Sequence, residues 1–158
     1  MAFTDSLTNL NNRAAFEIKI EEIDNNLNSY SSIWCFSIDV NNLKDTNDNL
    51  GHANGDYLII NCATIIKNTF GDLGFCYRIG GDEFIVLLCN LSHSEIQNLI
   101  NKFYCMIDQH NNNSGIKISL AIGYDAFDIN QDTTISSLIS RSDKLMYKNK
   151  NKNKSSYK

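Results

Sequence analysis

The sequence contains no proline among its 158 residues. This absence excludes polyproline linkers, proline-rich ligand motifs and cis-proline turns. It also lacks an apolar run of the roughly 18 residues that a membrane span needs, and its N-terminus has no signal-peptide pattern. We therefore expect one cytoplasmic domain over residues 1–158, without membrane contact of its own. Its turns must be built from other residues, and the 23 asparagines favour them.

Paired cysteines are missing as well. The five cysteines stand singly, no two of them form a CxxC pair, and most lie inside apolar runs. We interpret them as small buried hydrophobic residues in a reducing compartment, and a zinc site is not expected without paired spacings. The residues concerned are Cys35, Cys62, Cys76, Cys89 and Cys105.

Positive charge is scarce outside the C-terminus. Residues 1–140 carry seven Lys/Arg against 17 Asp/Glu, whereas residues 141–158 carry seven Lys/Arg and one Asp. The acidic body, with a charge of −10, is a poor general binder of nucleic acid and argues against a template-using polymerase. The basic end has two interpretations: a frayed tail over about 151–158, or a phosphate-facing cluster on the last helix.

Hydrophobic periodicity predicts the order of the elements. It favours helices over 12–28, 54–70, 92–110 and 134–150, and strands over 31–39, 75–79, 83–88 and 116–124. A turn-rich loop with a short helical turn follows the first strand, and positive φ is expected at both glycines of the Gly80-Gly81 hairpin. This order predicts an α+β fold. Its antiparallel sheet has a ferredoxin-like β-α-β-β-α-β core, with two helices on one face and flanking N- and C-terminal helices.

Three carboxylates should converge in such a sheet. The first strand lies antiparallel to the third, so Asp39 at the end of one meets Asp82 and Glu83 at the start of the other. Adjacent carboxylates repel unless a cation lies between them, and oxygen ligands with open positions suit Mg²⁺ or Mn²⁺. Such an ion neutralises a nucleoside triphosphate and activates a hydroxyl for in-line attack on phosphorus. The alternative is that Asp82 and Glu83 form a solvated hairpin tip.

The amide-rich segment 41–56 follows this strand directly. Its backbone N–H groups are suited to holding phosphates. Asn47 and Asp56 are candidates for reading a purine, because a carboxylate accepts from the two donors of the guanine edge. The alternative is that both are turn and helix-cap residues.

Five ordered segments carry a family resemblance: DSLTNLNNR (5–13), FSIDVNNLKDTNDNLGHANGD (36–56), YRIGGDEF (77–84), ISLAIG (118–123) and RSDKLMYKNKNKNK (141–154). Over nearly its whole length the chain resembles the GGDEF-domain diguanylate cyclases. The resemblance implies a palm-like fold of the nucleotidyl cyclase type, and a homodimer that condenses two GTP into cyclic di-GMP with release of pyrophosphate. Family members usually also carry a sensory or dimerising domain, so we expect either an excised domain or a stand-alone cyclase.

The resemblance also implies a role for each site residue. The side chains of Asp39 and Asp82 and the carbonyl of Val40 would hold Mg²⁺ or Mn²⁺. Glu83 would assist with the metal or deprotonate the 3′-hydroxyl. The remaining residues would bind GTP, with guanine contacted by Asn47 and Asp56, and phosphates by Lys44, Lys150, Lys154 and the backbone of Asn42 and Leu43.

The chain departs from the family pattern at several positions. Asparagine replaces Gly, Pro, the second Asp of a DxD pair and an aromatic residue at Asn9, Asn11, Asn41 and Asn42. Lys154 replaces an arginine and loses its bidentate fork. We interpret these changes mainly as compositional bias, because the three acids are retained.

Two further functions stay open at this point. One is a catalytically silent receptor for GTP or a dinucleotide, against which the retained acids argue. The other is a cyclase with relaxed base choice that makes mixed dinucleotides, against which Asp56 argues.

The product-binding RxxD motif of the family would fall at residues 71–74, which read GDLG, so we predict no inhibition by product through that segment.

Overall fold

The computed structural model describes the backbone of residues 2–155 and the side chains of residues 2–151. A four-stranded antiparallel sheet with the order β2-β3-β1-β4 forms its centre. The strands are β1 (Ile33–Val40), β2 (Gly74–Arg78), β3 (Glu83–Cys89) and β4 (Leu120–Ala126). The α-helices are α1 (Arg13–Asp24), α2 (Leu43–Leu50), α3 (His52–Phe70), α4 (His93–Asn113) and α5 (Ile135–Ser155), and a 3₁₀ turn spans Leu27–Ser29. The predicted α+β fold is confirmed.

Helices cover both faces of the sheet. Strand β1 is buried along its whole length, so its alternating side chains fill two separate cores. Trp34 and Phe36 pack with residues of α3 and α4, whereas Ile33 and Cys35 pack with residues of α1 and α5. The flanking terminal helices thus form a second layer on the face that Asp39 shares with Ile33 and Cys35.

Helix α5 approaches the sheet closely at Gly123 of β4. A Cβ atom at this position would collide with the backbone of Ser142 and Met146. The buried Ser37 and Ser142 hydroxyls lie 3.1 Å apart at the same interface. Because only glycine permits so close an approach, Gly123 fixes α5 against the sheet and with it the later turns of that helix.

Asparagines adopt the left-handed backbone conformation where a tight turn requires it. Asn9, Asn42 and Asn90 have φ values of 61°, 65° and 64°, and Gly51 has a φ of 87°. The expected positive φ at Gly80 and Gly81 is wrong, because neither glycine lies in that region. Asn9 therefore fills a glycine position of the family pattern without losing its conformation, since asparagine tolerates positive φ better than most residues.

Several element boundaries differ from those predicted. The segment expected as a loop with a short helical turn contains the two-turn helix α2. Helix α4, which begins with a capping box between Ser92 and Glu95, continues to Asn113. The amide of Asn111 hydrogen-bonds the backbone N–H and C=O of Ile118 at 2.7 and 2.9 Å, so β4 begins only at Leu120 instead of 116.

No helix in the described part of the chain has the length and apolarity to cross a membrane.

The cysteines mostly follow the expectation from sequence. Cys35, Cys62 and Cys76 are buried, Cys89 is half-buried and Cys105 is exposed. Burial raises the pKa of each of the three buried thiols to about 12. These three therefore act as apolar core residues and not as reactive thiols.

Candidate active site

Strand pairing brings the predicted acids to one edge of the sheet. Asp39 lies directly opposite Glu83 in the register of β1 and β3. The N–H of Val40 donates to the carbonyl of Asp82 at 2.9 Å, so Asp82 is held beside the same strand end. Like charges directly opposite each other in a sheet are destabilising, and a cation between them would relieve the repulsion.

Burial and mutual repulsion perturb these carboxyls. Burial raises the pKa of Asp39; a hydrogen bond from Lys150 opposes that rise, and the Asp82 carboxylate adds to it. Burial also raises the pKa of Glu83, with further contributions from Asp39, Asp82 and Asp143. Negative charge at this edge is therefore in excess of the positive charge that the described side chains supply.

Lys150 of α5 is the cation that the structure places against Asp39. Its Nζ donates to Asp39 Oδ2 at 2.8 Å, and the two side chains are 24% and 11% exposed. This hydrogen bond is the main cause of the raised pKa of Lys150. Asp39 Oδ1 is buried and has no hydrogen-bond partner among the described residues.

The donor set fits a hard divalent cation. Within residues 2–151, no three Asp, Glu, His or Cys side chains form a ready-made metal cluster. Asp39 Oδ1, which has no partner among the described side chains, and the ammonium on Oδ2 nevertheless mark a site that favours positive charge. Carboxylate and carbonyl oxygens with open positions are what Mg²⁺ and Mn²⁺ prefer.

The tip of the β2–β3 hairpin is held by Arg78, a residue for which no role was predicted. Its guanidinium donates to both carboxylate oxygens of Asp5, at 3.3 and 3.2 Å, and to the carbonyl of Gly81 at 2.8 Å. A Cβ atom at Gly80 would lie 3.3 Å from Glu83 Oε2, so this glycine leaves room for the acid. Arg78 thus connects the N-terminal segment to the turn that presents Asp82 and Glu83. Its position two residues before the GGDEF string was the available signal.

Helices α2 and α3 bring Asn47 against Gly55, the residue before Asp56. Gly51 joins the helices, and the Asn47 side chain occupies the space that a Cβ at Gly55 would need. Asp56 is the next residue and is exposed. The N-terminal end of α2, where Asn42 is the N-cap, lies three residues from Asp39, and helix N-termini favour anions. The start of the segment that was expected to be a loop is therefore a helix terminus.

The other predicted contacts are less closely defined. Lys44 is exposed on the first turn of α2. The side chain of Lys154 lies outside the described residues. Asn41, which stands where the family has an aspartate, donates from Nδ2 to Oγ of Ser119 at 3.0 Å. Ser119 is the residue just before β4.

A second cluster of charged side chains connects α5 to β4 and to the segment that precedes α5. Arg141 donates to both oxygens of Asp132 and to Asp125, each at 2.8 Å, and to the carbonyl of Ala126 at 2.9 Å. The Asp132 side chain is 1% exposed. No role was predicted for Arg141. The available signal was a cation among the apolar residues of α5.

Residues 2–156 match the family model described as diguanylate cyclase, GGDEF domain. The chain belongs to the GGDEF-domain family. Diguanylate cyclase DgcN of Escherichia coli is 36% identical over 128 residues, which are 78% of this chain and 31% of that protein. Diguanylate cyclase TpbB of Pseudomonas aeruginosa is 33% identical over 152 residues, which are 92% of this chain and 34% of that protein. The chain thus spans about a third of the length of these curated relatives.

Solved structures agree with the family assignment. A truncated form of P. aeruginosa TpbB that comprises only the GGDEF domain matches with a TM-score of 0.81 at 30% identity, covering 94% of this chain and 89% of that one. The GGDEF domain of DgcB from Caulobacter crescentus, in complex with c-di-GMP, matches with a TM-score of 0.80 at 24% identity, covering 96% and 91%. The palm-like nucleotidyl cyclase fold expected from the sequence is confirmed.

Proposed function

We propose that this domain is a diguanylate cyclase, which condenses two GTP molecules into cyclic di-GMP and releases two pyrophosphates. The observation that carries the proposal is the pairing of Asp39 with Glu83 across β1 and β3, with Asp82 beside them. The diguanylate cyclase names of two relatives support the same activity. The site we propose is cytoplasmic and metal-dependent.

In the proposed reaction the 3′-oxygen of each GTP attacks the α-phosphorus of the other. A new P–O bond forms, the bond to the β-phosphate oxygen breaks, and pyrophosphate leaves. Glu83 accepts the proton of the hydroxyl, a role suited to a carboxyl whose pKa burial has raised. Mg²⁺ or Mn²⁺, held by Asp39, Asp82 and the carbonyl of Val40, would supply charge neutralisation at the reacting phosphate.

The remaining contacts in the proposal position the substrate. Asn47 and Asp56 hydrogen-bond the guanine edge, and Asp56 selects guanine because it accepts from both N1–H and the exocyclic amine. Lys44, Lys150, Lys154 and the backbone of Asn42 and Leu43 hold the phosphates. Ring closure joins two nucleotides, so two copies of the chain must meet face to face. We further propose that a sensory or dimerising domain, on the same chain or in trans, controls that meeting.

Incubation of the purified domain with labelled GTP, ATP or both, with Mg²⁺ or Mn²⁺, tests the proposed function. We expect cyclic di-GMP from GTP alone, and a specific rate that rises with protein concentration until dimers are saturated. Retained GTP binding without any product would identify a silent receptor. Adenine-containing products in the mixed reaction would identify relaxed base choice.

We also expect turnover to be insensitive to inhibition through residues 71–74. Neither the arginine nor the second aspartate of the RxxD motif is present, and a Cβ at Gly74 would collide with Leu88 and the carbonyl of Leu87. The measurement is a titration of nucleotide-free protein with cyclic di-GMP. Tight binding that survives substitution of the active-site acids would contradict this prediction.

A further inference from the structure

Asp39 is a buried acid with one cationic partner among the described residues. It is 8% exposed, its Oδ2 accepts from Lys150 Nζ at 2.8 Å, and its Oδ1 has no partner within residues 2–151. A buried carboxylate that faces Asp82 and Glu83 is stable as an anion only with a positive charge nearby. The ammonium of Lys150 supplies such a charge.

We propose that Lys150 is a tethered cation that takes the place of the metal ion at Asp39 until substrate phosphates draw it away. This inference rests on the proposed function, because it takes Asp39 as a metal ligand and Lys150 as a phosphate contact. It adds that Lys150 does not play both parts at once: the ion pair with Asp39 and the phosphate contact are alternative states of one side chain.

The two cations exclude each other for electrostatic and steric reasons. Mg²⁺ binds carboxylate oxygen at about 2.0–2.1 Å, and Mn²⁺ has the same preference for hard oxygen ligands. The ammonium already lies 2.8 Å from Oδ2. A divalent ion on either oxygen of Asp39 would stand a few ångströms from the ammonium in a site with little water, where like charges repel strongly. Binding of the metal therefore requires Lys150 to leave.

Lys150 has the freedom to leave. Its charge lies on a flexible four-carbon stem, its one hydrogen bond within the described part of the chain is to Asp39, and its side chain is 24% exposed. Nucleotide phosphates offer it a more strongly charged partner. Phosphate binding thus frees Asp39 for the metal, and the metal frees Lys150 for phosphate. By thermodynamic linkage each ligand raises the affinity of the other by the same factor.

The test is a titration of Mn²⁺ into nucleotide-free protein, with free Mn²⁺ followed by electron paramagnetic resonance. Lys150→Gln is expected to bind Mn²⁺ about tenfold more tightly than the wild type, since couplings of this kind are usually 5- to 150-fold. Lys150→Arg keeps the competing charge and should match the wild type within about twofold. Lys148→Gln removes an exposed lysine of the same helix and should also match it.

Equal or weaker Mn²⁺ binding by Lys150→Gln would overturn the proposal, as would the absence of saturable binding in both proteins. Lys150→Met, which keeps the apolar stem, provides a second variant if the first fails to fold, and circular dichroism establishes folding. Asp39→Asn should abolish the Mn²⁺ site in either background. The titration contains no GTP and therefore measures Mn²⁺ binding independently of catalysis. If Lys150→Gln binds Mn²⁺ more tightly but the wild type forms no cyclic di-GMP in the GTP incubation, only the proposed function is refuted.

Discussion

Glu83→Gln is expected to lower the rate of cyclic di-GMP formation by at least about 100-fold while leaving the thermal midpoint of unfolding unchanged or slightly higher. The substitution removes the group that accepts the proton of the 3′-hydroxyl at nearly constant volume. It also removes one of the charges that repel each other across β1 and β3, because Glu83 lies opposite Asp39. Product formation by chromatography and thermal unfolding by circular dichroism measure the two effects.

Glu21→Gln is the matched control for this experiment. Glu21 is exposed on α1, so the same chemical change there should leave both rate and stability as in the wild type. A Glu83→Gln enzyme that cyclises GTP at the wild-type rate would show that the role assigned to Glu83 is wrong. A large fall in its unfolding midpoint would show instead that Glu83 stabilises the hairpin.

Arg141→Gln is expected to lower the free energy of unfolding at pH 7 by roughly 3 kcal/mol, the scale measured when one partner of a buried ion pair is removed. The variant leaves the Asp132 carboxylate, 1% exposed, without its cation. Urea unfolding measures the loss. Arg13→Gln serves as the control, because the ion pair of Arg13 with Glu17 is about two-thirds exposed on both sides and contributes little.

The loss in Arg141→Gln should also depend on pH. The hydrogen bonds from Arg141 hold the pKa of Asp132 below its ordinary value of 3.8. A carboxyl with a lowered folded-state pKa stabilises the fold above its unfolded pKa, and that contribution disappears as pH falls through the folded pKa. The difference between the two proteins should therefore be largest near neutral pH and shrink below pH 4. A difference that stays constant from pH 7 to pH 3 would contradict the ion-pair explanation.

Much of the fold follows from local pattern. The apolar run of β1 and the periodic helices α3 and α4 indicate a sheet in which β1 and β3 are antiparallel neighbours. That pairing brings the end of β1 to the start of β3, and its register places Asp39 opposite Glu83. Helix α2 was harder to predict, because LKDTNDNL has no continuous apolar stripe. It forms where Asn42 turns the chain and Leu43 packs against the core. The late start of β4 depends on Asn111, whose side chain takes hydrogen bonds that a strand would otherwise make.

The charged partners within the site were not predictable by the same means. The pair between Asp5 and Arg78 joins residues 73 positions apart, and the pair between Asp39 and Lys150 joins residues 111 positions apart. Periodicity indicates which face of α5 is buried, but it does not determine the position of that helix along the sheet or its rotation about its own axis. Tertiary packing determines both, and the contact of Lys150 with Asp39 depends on them.

The close approach of α5 at Gly123 determines how the site can respond to its ligands. Because the helix backbone rests directly against β4, α5 has no room to move toward the sheet when Lys150 changes partner. We therefore expect the exchange to occur by rotation about the bonds of one lysine side chain, without a shift of the helix. Binding of the metal ion and substrate phosphates to one copy of this domain should therefore rearrange side chains while α5 and the sheet keep their relative position.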